Sequence, residues 1–192
     1  MKVLPFKIPK PKSEALIYQE DRARIFYDQL HQHQEIQISL VVKGSGSFIV
    51  ADTINEYKEN DILVIGEYVP HVFKSDSDKS DESIMCSLFF KKEAFGKHFF
   101  ELPDMAETKE FFTGSEYGLK VLSKKQKITK QFNKLNHQNK IDRIATLIKI
   151  INLISKAETT PLSSFVYKKK YTDDEGKRMN DVFEYAMEKF YE

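Results

Sequence analysis

The chain has 192 residues, 41% of them hydrophobic and 31% charged, with a formal net charge of +1. That size suits one full domain with a small extra element, able to build a core without staples, and the composition excludes intrinsic disorder. The near-neutral charge gives no whole-chain reason to bind nucleic acid or an anionic membrane, and the single cysteine, Cys86, excludes an internal disulfide.

Residues 1–12 hold three prolines and several lysines, as an extended arm would. No apolar h-region follows Met1 and no apolar run approaches the length of a membrane span, so a cytoplasmic protein free of the membrane is expected. Ala15–Tyr18 and Ala23–Tyr27 are short strand candidates. Arg22 and Arg24 share a face there. The plain reading is a solvated edge; the sharper one makes Arg24 a contact for an anionic ligand.

The most informative stretch begins at Leu30. Period-2 alternation puts His31, His33, Glu35, Gln37 and Ser39 on one face of a strand, with Ile36, Ile38, Leu40 and Val42 on the other. A half-buried strand requires the apolar face. Two imidazoles, a carboxylate and an amide in a row are not required, and if they look inward they line a polar cavity. Lys43-Gly44-Ser45-Gly46 is a hairpin signal, so Ser47–Val50 is expected to run back before Ala51-Asp52-Thr53 turns again. Asn60-Asp61 opens the apolar run Ile62–Ile65, which Gly66 and Pro70 break, and His71 follows at once. The polar run from Lys74 to Asp81 lacks the glycine and flanking helices of a calcium-binding loop and is expected to be a solvated turn. Ile84–Phe90 is the last clear strand, with Cys86 as a buried, inert thiol.

After Lys91 the period becomes helical. Short helices are expected over Lys92–Phe100 and Met105–Phe112, ended by Leu102-Pro103 and Gly114. Ser123–Asn136 carries Ile128, Phe132 and Leu135, and Lys140–Ser155 carries Ile144, Leu147, Ile148, Ile151 and Ile154, both at helical spacing. The short polar link Asn136–Asn139 makes them an antiparallel hairpin, and Thr159-Thr160-Pro161 stops the second helix. A last amphipathic stripe runs from Met179 to Phe190.

His31-x-His33, Gln37, Asn60-Asp61, Pro70 and His71 resemble the pattern of the cupin barrel, with Asn60 where glycine is usual and Gln37 where a carboxylate ligand is usual. The order of elements resembles the AraC-type transcription regulators, through His31–Gly46, Asn60–Phe73, Phe99–Leu119 and Asp142–Ile148. Arg178–Tyr185 resembles the first helix of that family's DNA-binding domain. The fold expected is mainly β with α: a cupin-like double-stranded β-helix over residues 1–122, a helical dimerisation hairpin over 123–167, and a linker with a C-terminal helix over 168–192. The function implied is that of a sensor rather than an enzyme. It would bind a small effector, a sugar or a small acid, in a pocket lined by His31, His33, Glu35, Gln37, His71 and Arg24. Promoter DNA would be reached only through a further domain.

Because of Gln37, no metal or other cofactor is expected; were one present, His31, His33 and His71 would supply three nitrogens and Gln37 or Glu35 an oxygen. A metal-dependent cupin enzyme acting on a small organic substrate is the alternative, and a plain set of hydrogen-bonded barrel histidines is the blandest reading. His98 and His137 belong to neither site. A homodimer is expected through the helices Ser123–Asn136 and Lys140–Ser155, with Leu147, Ile150, Ile151, Leu153 and Ile154 at the interface, because the second helix is apolar over most of its girth.

Overall fold

The computed structural model describes residues 14–26, 28–76 and 82–166, together with positions 178, 182 and 185. In chain order its strands are β1 (Leu16–Ala23), β2 (Ile36–Lys43), β3 (Gly46–Val50), β4 (Thr53–Tyr57), β5 (Ile62–Ile65), β6 (His71–Ser75), β7 (Ser83–Phe90), β8 (Leu119–Val121) and β9 (Thr159–Pro161). They form two antiparallel sheets, ordered β1-β7-β2-β5-β8-β9 and β4-β3-β6. This is the cupin-type arrangement, mainly β with a few helices. The helices are α1 (Lys109–Ser115), α2 (Lys125–Leu135) and α3 (Lys140–Ser155).

The larger sheet is buried on both faces, which is why β5 is a continuous apolar run rather than an alternating one. One face of β2, β5 and β7 presents Ile38, Leu40, Val64 and Leu88 to Ile128 and Phe132 of α2 and Leu147 and Ile151 of α3. The opposite face turns Val41, Leu63 and Met85 toward Phe48, Val50 and Phe73 of the smaller sheet. Gln37 and Ser39 lie on that same inward face, by the alternation of β2.

Several local expectations change. The turn at Lys43–Gly46 does not make a hairpin. β2 pairs with β5 and β7, while β3 pairs with β4 and β6, so the chain crosses between sheets there. Gly46 permits the crossing: a Cβ there would lie 2.1 Å from the Lys74 carbonyl oxygen. A single strand, β1, continues the first candidate through the polar run Gln19-Glu20-Asp21-Arg22 to Ala23; of the second candidate, Ala23–Tyr27, only Ala23 is in a strand, Arg24–Phe26 are not, and Tyr27 lies outside the described residues. Between Lys92 and Thr108 three short 3₁₀ turns replace the helix expected over Lys92–Phe100 and the first half of that expected over Met105–Phe112, whose second half lies in α1. Gly96 and Pro103 interrupt them, and none has a side-chain cap. The hairpin of α2 and α3 is present, and Asn139 caps α3 by accepting the Asp142 amide at 3.0 Å.

Two further corrections concern organisation. Leu147, Ile150, Ile151 and Ile154 are fully buried in the core that α3 shares with the sheet, and Leu153 packs partly buried at its edge. The excess apolar girth of α3 is therefore covered within one chain, and these residues do not form a free dimer face. The boundary drawn at 122/123 likewise divides a shared core, and β9 from beyond it pairs with β8 from before it. The segment 168–192 lies outside the described residues apart from Arg178, Val182 and Tyr185, which are helical and exposed.

One buried carboxylate ties the barrel to the helices. Asp61 accepts from Lys120 at 2.8 Å and Lys125 at 2.7 Å, and from the Lys58 amide at 3.1 Å. Asn60 before it adopts φ 66°, a turn conformation asparagine tolerates, which accounts for its standing where glycine is usual.

Candidate functional site

The histidine segment is not a regular strand. β2 starts only at Ile36, and His31 meets β6 through an isolated bridge to His71. In that bridge each residue's amide donates to the other's carbonyl, at 3.0 and 2.9 Å. The backbone pairing sets the two imidazoles 4.2 Å apart, centre to centre, and His33 stands 5.0 Å from His71. All three are buried, and their ring nitrogens can be chosen to lie within 4.8 Å of one another.

Hydrogen bonds to the backbone fix the tautomers. His31 Nδ1 lies 2.8 Å from the Gln29 carbonyl, His33 Nδ1 lies 2.8 Å from that of Glu35, and His71 Nδ1 lies 2.9 Å from that of Val69. A carbonyl only accepts, so Nδ1 carries the hydrogen, and the neutral rings of His31 and His71 keep a lone pair on Nε2. His71 Nε2 is buried with no hydrogen-bond partner. His33 Nε2 faces Gln37 Oε1 at 3.1 Å, a second acceptor. The Gln37 amide nitrogen donates to Ser39 Oγ at 2.8 Å, and Ser39 shares a 2.7 Å hydrogen bond with Ser87. The hydroxyl pair thus holds the glutamine with its oxygen toward the imidazoles.

His31 and His71 stay neutral at neutral pH. Burial, and after it the charge of His33, pushes the His31 imidazole down to about 3, and burial beside both other rings holds His71 well below the ordinary histidine range. The unpartnered His71 Nε2 lies among the rings of His31 and His33, with the Gln37 amide oxygen beside His33. That donor set fits a divalent metal of the zinc or iron type, held by His31, His33, His71 and the Gln37 oxygen. The sequence expectation of no metal rested on the missing carboxylate, and the placement of the Gln37 oxygen removes that reason.

Beside the cluster is a chamber of about 140 Å³. His31 and Gln37 border it with Gln19 and Asp21 of β1, and the aromatic wall includes Phe73 and Phe89. Of the six residues expected to line it only His31 and Gln37 do; His33 and His71 belong to the cluster but not to the lining, and Glu35 and Arg24 belong to neither. Glu35 turns its side chain to Lys91, 3.7 Å away, and contributes only its carbonyl to His33. Arg24 is exposed and does not line the chamber. Outside the cluster, His98 pairs with Glu101 at 2.7 Å on the surface and His137 is exposed. Gln19, Asp21, Ser39 and Ser87 were not singled out as site residues, although the alternation of β1 and β7 could have placed them inward once those strands were recognised as barrel strands.

The family profile described as the AraC-like ligand binding domain matches residues 13–89, less than half of the chain but including the whole cluster and every residue of the chamber. No curated protein matches the chain in sequence. Among solved structures the chain is similar to the oxalate decarboxylase of Bacillus subtilis, with 20% identity and a TM-score of 0.36 over 43% of this chain and 23% of that one. It is also similar to a cupin 2 conserved barrel domain protein from Rhodopseudomonas palustris, with 18% identity and a TM-score of 0.35 over 44% of this chain and 57% of that one. The match thus spans less than a quarter of the decarboxylase chain.

Proposed function

We propose that this chain is the ligand-sensing region of an AraC-type transcription regulator, binding a small polar molecule in the barrel rather than turning it over. The observation that carries the reading is the coincidence of the family match over residues 13–89 with a buried polar cluster, two of whose members, His31 and Gln37, border a chamber in the barrel. A chamber lined by residues of both sheets couples occupancy to the packing of the barrel. The larger sheet shares its outer core with α2 and α3, so a change inside has a direct route to the helices. In the full regulator those helices would form a homodimer and a further domain would read promoter DNA.

The second reading, a metal-dependent cupin enzyme, is favoured by one feature, the convergence of His31, His33, His71 and Gln37 Oε1. A bound metal would supply a Lewis acid facing the chamber. The protein's own part would be to orient the ligands through the three backbone carbonyls and the Ser39–Ser87 pair, and to exclude water by burial.

A thermal-shift screen of the purified chain against sugars, small acids, small amines and divalent metals tests the proposal. A ligand at 100 times its Kd stabilises by about 2.7 kcal/mol. Stabilisation by an organic molecule without its consumption supports the sensor. Consumption that depends on added metal supports the enzyme.

A further inference from the structure

The chamber has two unlike kinds of lining, and one of them holds a charge that nothing among the described residues neutralises. Asp21 lies on the inward face of β1, and its one hydrogen-bond partner among the described residues is the Gln19 amide, at 2.7 Å. Arg22 also borders the chamber, but its guanidinium is held by Glu20 at 2.6 Å. No cation reaches Asp21 among the described residues, and its burial, only partly offset by Gln19, raises its pKa. A half-buried carboxylate with no positive partner is costly in the empty protein. The rest of the lining is largely apolar: Phe26 and Phe73, with Met85 and Phe89 of β7, the strand paired with β1, where Met85 stands directly beside Asp21. Ring faces of this kind attract ammonium groups as well as flat apolar ligands. The volume, about 140 Å³, is close to the roughly 150 Å³ of an apolar cavity that accepts benzene.

We propose that the chamber takes a small monocyclic amine, its ammonium on Asp21, its apolar ring among Phe26, Phe73 and Phe89, and its far end toward His31 and Gln37. This rests on the reading of the barrel as a ligand site and narrows the sugar or small acid expected from the sequence. A sugar has too little apolar surface for this lining, and an acid would meet the Asp21 charge. A monoamine satisfies both kinds of lining at once.

The test uses the full chain and a matched set of probes: benzylamine, benzyl alcohol and benzoate, measured by calorimetric titration and thermal shift. Benzylamine is expected to bind at least tenfold more tightly than the alcohol, with benzoate the weakest. Asp21→Asn, nearly the same shape, is expected to erase the preference for the amine while leaving the alcohol bound as before. Should that variant fail to fold, the ranking of the three probes on the unaltered chain decides by itself. Equal binding of alcohol and amine, tighter binding of benzoate, or an unchanged amine preference in the variant would overturn the amine assignment and leave the chamber as a ligand site. No binding by any probe, with no hit among the sugars and acids of the broader screen, would overturn both.

Discussion

His31 and His71 exchange two backbone hydrogen bonds, at 3.0 and 2.9 Å, and this pairing presses their imidazoles together inside the barrel. Their Nδ1 hydrogens go to carbonyls, leaving a lone pair on each Nε2, and that of His71 is buried with no hydrogen-bond partner. The arrangement is stable only while the rings stay neutral or a cation lies between them. The first prediction follows from the neutral state. The folded pKa of His31 is about 3, below the unfolded value near 6.5, and that of His71 is also depressed. The unfolded chain therefore takes up protons first as the pH falls. Stability from these groups is complete above about pH 6.5 and is lost toward the folded values, at up to about 1.4 kcal/mol per pH unit for each ring. Urea unfolding of metal-free protein at pH 7 and pH 5 measures it, and equal midpoints would contradict it.

The second prediction concerns Asp61. Burial alone would raise its pKa, but the hydrogen bonds from Lys120 and Lys125 outweigh that and hold it below the ordinary value. Its contribution is present above about pH 4 and is lost as the pH falls through the depressed folded value. Asp61→Ala removes the shared partner of two half-buried lysines, and a cost of about 3–5 kcal/mol is expected from urea unfolding at pH 7. A loss under about 1 kcal/mol would mean that the lysines find other partners.

Much of this was legible in the sequence, and the exceptions have definite causes. Alternation from Ile36 onward placed Gln37 and Ser39 correctly, because a strand buried on both faces still alternates between two environments. It misplaced Glu35, which precedes the regular strand and is free to turn toward Lys91. The trio His31, His33 and His71 was visible as a spaced pattern, but the bridge that brings His71 beside His31 is tertiary. Asp21 escaped because a polar run in a barrel strand looks like a loop. The dimer face failed for a different reason. The excess apolar girth of α3 is real, but periodicity does not say whether a sheet or a second subunit covers it.

That failure redirects the third prediction. The outward side of α3 keeps Ile141, 79% exposed, with Ala145 exposed and Ile144 and Ile148 half-buried. If the chain dimerises through its hairpin, this stripe is the surface left to do it. Ile141→Asp with Ile148→Asp is then expected to give folded monomers in sedimentation at micromolar concentration. Ile150→Asp buries an unpaired charge in the shared core and is expected to unfold the chain instead. A folded monomer from Ile150→Asp, or a dimer unchanged by the first pair, would contradict this assignment.

The fourth prediction tests the role of the glutamine. With Gln37 the ligand set His31, His33, His71 and Gln37 is neutral, so Gln37→Glu adds a charged oxygen donor at the same point. The variant is expected to bind zinc at least tenfold more tightly than the unaltered chain in a competitive chelator titration. Ser39→Ala frees the amide to rotate and is expected to weaken binding several-fold. Identical affinities across the three proteins would remove Gln37 from the metal's surroundings.

The central claim is that the barrel interior around His31, His33 and His71 is where this protein receives its small molecule. The five histidines of the chain are natural reporters of it, three inside and two, His98 and His137, on the surface. Ring ¹⁵N spectra of the labelled chain, recorded with and without the strongest organic hit of the screen, test it most directly. The predicted result is that signals of His31, His33 and His71 shift at saturation while those of His98 and His137 stay fixed. Shifts confined to His98 or His137, with the three buried rings unmoved, would contradict it.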